Sequence, residues 1–373
     1  MSLLLSDIVK QKISDEGPIS FRDFMEMALY YPEFGYYTSA KEKFGKEGDY
    51  FTTPFFTNVY GVVIAKQLEE MWLLTGQKEF VIIEYGAGSG FLCRDILDHL
   101  KNNKQFYKNL TYCIIEKSAS LREKQKKLLA NSEAIKKIRW LDSIDEISSF
   151  TGCVLANEVL DNFSVHKVIM NENELMEVFV DHNNGFCEVL KPASDNLKEY
   201  FKELNVELPD NYCAEINLQA IEWLKKISAS LIKGFVIIID YGFPSSELYQ
   251  SYRNLGTIVC YHKHRVNDQP FSNIGQQDIT AHVNFSALDL WGSRNGLMNC
   301  GFTTQSQFLS ALGLTEQLRK LELKEKNNFE FRKQLLFLHT LVISMGKKFK
   351  VLIQQKGLQS PRLLGLRFPQ PLI

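Results

Sequence analysis

The feature that most constrains this chain is the stretch 80–91, FVIIEYGAGSGF. An unbroken apolar run reaches an acid and three alternating glycines, and a helical stretch, Phe91–Leu100, follows. A Val/Ile run without polar alternation is a strand covered on both faces. The same unit recurs: 111–116 (TYCIIE) precedes a helical stretch at 118–129, and 139–142, 153–157 (CVLAN) and 235–240 (FVIIID) are further strand candidates. Apolar strands alternating with helices predict an α/β fold, a doubly wound, mostly parallel sheet from about residue 58 onward.

The flanks read differently. Residues 1–35 predict two short helices ending at Tyr31-Pro32, 36–54 a loop, and 58–74 a helix stopped at Gly76. Alternation over 165–190 around an Asn183-Asn184-Gly185 turn predicts an antiparallel insertion. A helix is expected at 214–232, irregular chain at 243–285, a helix at 314–340, and a closing edge strand at 349–354. The expected organisation is a helical and loop extension (1–57), a first core half (58–164), an inserted α+β region (165–232), a second core half (233–355) and an extended tail (356–373). The insertion is a candidate homodimer or partner surface.

Composition narrows the function classes. The chain has 373 residues, 45% hydrophobic and 23% charged, with 43 Lys plus Arg against 44 Asp plus Glu. Near-neutrality offers no global field for nucleic acid, so none is expected as a partner. The seven cysteines include no CxxC pair, and no His/Cys/Asp group has ligand spacing, so no metal is expected. The start, MSLLLSDIVKQKISDEG, reads as neither signal nor transit peptide, and the apolar stretch 335–346 is too short to insert into a membrane. A cytoplasmic protein is expected.

The glycine loop sets the ligand class. Glycines let a ligand touch backbone where a Cβ would clash, and the helix start adds free N–H donors. A dinucleotide loop would read G-x-G-x-x-G, but Phe91 stands at the third position and the third glycine comes one residue early, at Gly90. With Glu84 two residues before Gly86, the pattern Gly86-x-Gly88-x-Gly90 is similar to that of class I S-adenosylmethionine methyltransferases. The charges agree. A pyrophosphate repels a carboxylate at this turn, whereas an ammonium and a sulfonium are attracted to Glu84. Glu116, ending the second strand, is placed to accept from ribose hydroxyls. Asp142, after the third, is a candidate acceptor for an adenine amino group, or a helix cap before Ile144.

The fourth strand ends in Asn157-Glu158-Val159-Leu160-Asp161. Ligands of open α/β sheets sit beyond the C-terminal strand ends. Asn157, Glu158 and Asp161 are therefore candidates to orient a nitrogen acceptor and take its proton. Asp240, ending the fifth strand, reads equally as a turn residue held by backbone N–H groups.

The ordered blocks resemble the MidA-like methyltransferases, whose mitochondrial branch assembles respiratory complex I. They are Ile19-Ser20-Phe21, Tyr31-Pro32 with Gly35-Tyr36-Tyr37, residues 48–53 (GDYFTT), the glycine loop, 157–161, Val165-His166-Lys167, Asp240-Tyr241-Gly242, His264-Arg265 and 277–285 (QDITAHVNF). The resemblance spans most of the chain. It implies S-adenosylmethionine as cofactor and, for the mitochondrial branch, methylation of an arginine in a protein substrate, a respiratory complex subunit. It also implies a cofactor contact from Asp49 and an acceptor cleft lined by Thr280 and His282. Two positions depart from the family: Ser89 stands where arginine is frequent, and Asn284 where an acid is common. The rival readings are a non-catalytic assembly protein that keeps the fold, and a nicotinamide-dependent oxidoreductase.

Overall fold

The computed structural model describes residues 4–41, 43, 58–130, 132–324 and 346–372. Its centre is an eight-stranded sheet, seven strands of which form a continuous path: β1 (Phe80–Tyr85), β2 (Leu110–Ile115), β3 (Ile138–Leu141), β4 (Phe150–Asn157), β5 (Leu231–Phe243), β6 (Met298–Thr304) and β7 (Phe349–Lys356), with the two-residue strand Val283–Asn284 beside the end of β5. Their spatial order is β6-β7-β5-β4-β1-β2-β3. β1 to β5 pair in parallel, and β7 runs antiparallel to β5 and β6. The order reverses between β1 and β4, which opens a crevice above their C-terminal ends.

The apolar runs form strands because both of their faces are covered. One face, with Ile82, Ile114, Leu155, Ile237 and Ile353, packs against helices α1 (Val59–Thr75) and α2 (Phe91–Leu100). The other, with Ile83, Val154, Val236, Ile238 and Leu352, packs against α3 (Leu218–Ser230) and α4 (Phe285–Arg294). All ten of these strand residues are 0% exposed. Burying each such side chain contributes roughly 1.5–3 kcal/mol, so the sheet is a rigid platform for the loops above it.

Two smaller sheets flank it. Strands His166–Asn171, Glu174–His182, Phe186–Pro192 and Cys213–Ile216 form the antiparallel insertion. The N-terminal helices Leu5–Glu16 and Phe21–Tyr30 are tied to it by strand Ile19–Ser20, which pairs with Phe179 and Val180. Strands Val259–His262, Arg265–Asn267 and Asp278–Thr280 form a third sheet inside the segment expected to be irregular.

Two further expectations are corrected, and a third is described only in part. Residues 349–354 form no edge strand: β7 lies between β5 and β6, and Val351, Leu352 and Ile353 are fully buried. The edge is β6, which had no reading as a strand because Gly301 and Asn299 interrupt its apolar run. The expected helix over 214–232 divides into a strand and α3, with Asn217 accepting from the Ala220 N–H at the helix start. The helix expected over 314–340 is described for Leu314–Lys324; the remainder lies outside the described residues.

Candidate active site

A cleft of about 920 Å³ opens above the C-terminal ends of β1, β2, β4 and β5. Glu84, Gly86, Gly88, Glu116, Asp142, Asn157, Glu158, Asp161, Thr280 and His282 all line it. Gly90 stands behind the wall as the residue before α2, and Asp49 lies outside the described residues.

The glycine loop is a turn that side chains would obstruct. Gly86, Gly88 and Gly90 have φ of 60°, 53° and 82°, in the left-handed region. A Cβ on Gly86 would stand 3.1 Å from Val159 Cγ2. Gly90 packs on Gln125, whose amide donates to the Gly88 carbonyl (2.9 Å) and to Glu116 (3.2 Å). One side chain thus holds the glycine turn and the second-strand acid together.

Glu84 is 2% exposed and accepts from the Tyr112 hydroxyl at 2.8 Å. Burial pushes its carboxyl up to about 7, and the nearby Glu116 charge adds to that. Glu116 accepts from the Ser118 N–H at 3.0 Å, and burial raises it to about 6. Two buried carboxyls held above their usual range form a place that a positive ligand relieves. Asp142 points outward to pair with Arg122 at 2.6 Å, and Ser143 caps the turn after it, with Glu146 completing the capping box. Tyr85, Ile144, Phe163 and Trp223 supply an apolar wall beside them.

A second acidic group lies beyond β4 and β5. Asp240 is fully buried and binds the backbone: Oδ2 accepts from the N–H groups of Val159 (3.1 Å), Leu160 (2.8 Å) and Asp161 (3.2 Å), and Oδ1 from Tyr241 (2.9 Å). It is the turn residue of the two readings, and it shapes the 158–161 loop. Glu158 sits on that loop at φ 56°, a conformation costing about 1–2 kcal/mol for a residue with a Cβ. Strain held in place by surrounding bonds marks functional loops.

Asn157 orients Glu158. Gln305 donates to the Tyr60 hydroxyl (3.2 Å), which donates to Asn157 Oδ1 (2.6 Å), leaving Nδ2 to donate to Glu158 (3.2 Å). Burial and the Asp240 charge push Glu158 up to about 7. Asp161 is 5% exposed, and its Oδ1 has no hydrogen-bond partner among the described residues. Burial, then the charges of Asp240, Asp278 and Glu158, raise its carboxyl well above the usual range. Burial raises Asp240 too, to about 7, against the four N–H donors that favour its charged form.

The sequence reading missed part of this wall. Asp278 is 2% exposed and accepts from Asn162 Nδ2 (3.0 Å) and the Tyr37 hydroxyl (3.0 Å). Tyr37 stacks on Tyr30 with centroids 5.6 Å apart, and both line the cleft with Tyr241 and Tyr261. Asp278 and Gly35-Tyr36-Tyr37 were visible only as parts of matching blocks; nothing in their spacing brings them together. His282 meets the Tyr241 and Phe243 rings at 5.1 and 5.5 Å. Burial, then the Arg253 and Lys348 charges, lower its pKa to about 4, so it is neutral at pH 7. Its Nδ1 has no partner among the described residues. Asn284, standing where an acid is common, caps α4 through the Ala287 N–H.

Among the described residues no group of His, Cys, Asp and Glu is arranged to hold a metal, and no helix is long and apolar enough to cross a membrane. The residues fit a sulfonium nucleoside: a glycine cradle that a Cβ would narrow, and the buried carboxyls of Glu84 and Glu116, neither of them in an ion pair among the described residues.

Comparison with known proteins agrees. The family described as "Putative S-adenosyl-L-methionine-dependent methyltransferase" matches residues 63–303. The chain is 26% identical over 382 residues to the protein arginine methyltransferase NDUFAF7, mitochondrial, of Homo sapiens, covering 94% of this chain and 83% of that protein. Its Drosophila melanogaster homolog is 25% identical over 391 residues, covering 96% and 86%. A superfamily member from Burkholderia thailandensis, crystallised with S-adenosyl-homocysteine, superposes with a TM-score of 0.90 at 29% identity, over 98% of this chain and 95% of that one. The glycine cradle, the buried acids and these matches lead to one conclusion: the chain belongs to the MidA-like family of S-adenosylmethionine-dependent methyltransferases, and S-adenosylmethionine is its cofactor.

Proposed function

We propose that this enzyme methylates an arginine nitrogen of a protein substrate. The observation that carries the reading is the acidic wall of Glu158, Asp161 and Asp278, with a buried Asp161 oxygen that has no hydrogen-bond partner among the described residues and tyrosine rings around it. A guanidinium is planar, presents several donors and stacks on aromatic faces, so it satisfies these groups together. The named arginine methyltransferases among its relatives support the same substrate class. The resemblance noted above extends it to a respiratory complex subunit.

The cofactor supplies a methyl group on a sulfonium, transferred in line to a nucleophile. Glu84, Glu116 and the glycine loop would hold that cofactor, with Asp142 at the rim. Asp161 and Glu158 would bind the guanidinium edge-on and fix one nitrogen toward the sulfur. Glu158, with a pKa of about 7, takes the proton that the attacking nitrogen loses. Asn157 orients Glu158, and neutral His282 borders the site without adding a cation that would repel the substrate.

The test is incubation with radiolabelled cofactor and a lysate, followed by amino-acid analysis. Label in methylarginine is expected, lost in Glu158→Gln while adenosylhomocysteine binding persists. Label in another residue, or undiminished label in the variant, overturns the assignment.

A further inference from the structure

Beyond the acidic wall, the same cleft ends in cations. Phe243, His282, Lys348 and Phe349 line it. Arg253 stacks on the Phe243 ring at 4.0 Å, and the Lys350 ammonium lies 5.8 Å from that ring. None of Arg253, Lys348 and Lys350 has a carboxylate ion-pair partner among the described residues. Arg253 donates to the Glu247 carbonyl and the Tyr252 hydroxyl, and Lys350 to the Lys347 carbonyl. Lys350 is only 8% exposed, and burial pulls its pKa down. The Glu247 charge offsets that only in part and makes no ion pair with Lys350, so Arg253 and Lys350 beside the Phe243 ring, with Lys348 on the cleft wall, describe a place made for an anion.

The anion's position relative to the acceptor follows from the contacts between them. Asp161 neighbours the Tyr241 ring. From there the steps are 5.1 Å to His282, 5.5 Å to Phe243 and 4.0 Å to Arg253. An extended polypeptide covers that path in about four residues. Between the two ends the wall presents Tyr241, His282 and Phe243, and the exposed Val266 lines the same cleft.

We infer that the acceptor is a polypeptide segment bearing a carboxylate side chain within about four residues of the methylated arginine, seated against Arg253, Lys348 and Lys350. This rests on the arginine reading above and adds a specificity element to it. The two ends sort the substrate's charges: a cation is drawn to Glu158 and Asp161, an anion to Phe243 and its cations, and a reversed peptide meets repulsion at both.

The experiment is fluorescence anisotropy with the adenosylhomocysteine-loaded full chain and a positional library of arginine-centred peptides. Each flanking position carries Glu, Gln or Lys in turn, and a parallel series has citrulline for arginine. At one or two flanking positions Glu is expected to bind about tenfold more tightly than Gln, the worth of one charge-assisted contact, and Lys more weakly still. The double variant Arg253→Glu, Lys348→Glu is expected to invert that order, with adenosylhomocysteine titration reporting that its core is folded. Equal binding of Glu and Gln peptides overturns the inference, as does an unchanged order in the variant or no peptide binding at all. Equal binding of arginine and citrulline peptides would instead overturn the arginine reading.

Discussion

Cofactor binding should depend on pH in a way that separates a cationic ligand from an anionic one. Glu84 titrates near 7 and Glu116 near 6 because both are buried. A ligand bearing an ammonium and a sulfonium binds their ionised forms. Between about pH 7.5 and about pH 5.5, the ionised fraction of a group titrating near 7 falls roughly 25-fold. Over the same interval a group titrating near 6 loses only about fourfold. Adenosylmethionine affinity, measured by calorimetry, should therefore weaken about 25-fold if Glu84 alone matters and about 100-fold if both do. Binding should release protons, visible as a dependence of the apparent enthalpy on buffer. Glu84→Gln should leave only the shallow component.

The same shifts bear on stability. Both carboxyls titrate above the ordinary glutamate value of about 4.5, so the folded state favours their protonated forms. Their contribution is fully present below that value and is lost as pH rises toward 6 to 7. Glu84→Gln should thus raise the melting temperature of the ligand-free enzyme at pH 8 while weakening the ligand's own stabilisation. A flat affinity profile, or tighter binding in acid, would refute the idea that these carboxylates face a cation.

Three further outcomes are expected. Asp240→Ala leaves four backbone N–H groups without their acceptor and should cost about 3–5 kcal/mol in denaturant unfolding; Asp240→Asn, which can still turn its oxygen to the 159–161 loop, should cost about 1–2 kcal/mol. Gly86→Ala, forced to a φ of 60° and against Val159, should weaken adenosylhomocysteine at least about tenfold by calorimetry while costing about 1–2 kcal/mol of stability. Tyr60→Phe removes the donor to Asn157 and loosens its bond to Glu158; the acid limb of the pH–rate profile should move upward, a shift that a purely structural role for Tyr60 would not produce.

Much of the central sheet was legible because each buried strand leaves a local signature. The runs at 80–85 and 235–240 can be little else, and the glycines after Tyr85 announce a turn whatever surrounds them. What escaped depends on residues distant in sequence. β7 reads as an edge strand since nothing local tells that β6 will cover its other side. Tyr37 reaches Asp278 across 241 positions, and Tyr60 reaches Asn157 across 97. The left-handed backbone of Glu158 leaves no trace in composition; it is imposed by Asp240, whose turn role and site role read alike until its four donors are seen. Asp142 was visible as an acid at a strand end, yet its partner Arg122 was not, and that pairing turns it to the rim.

The placement of β7 has a consequence for biosynthesis. Among the described residues, the strand latest in the chain is the one wedged between β5 and β6. Until residues 349–356 appear, both neighbours carry unsatisfied ladders and the apolar faces of Ile237 and Phe302 lack their cover. Nascent chains stalled before that point, and products of premature stop codons, are thus natural clients for chaperones and proteases, and a late truncation removes a keystone instead of a fringe.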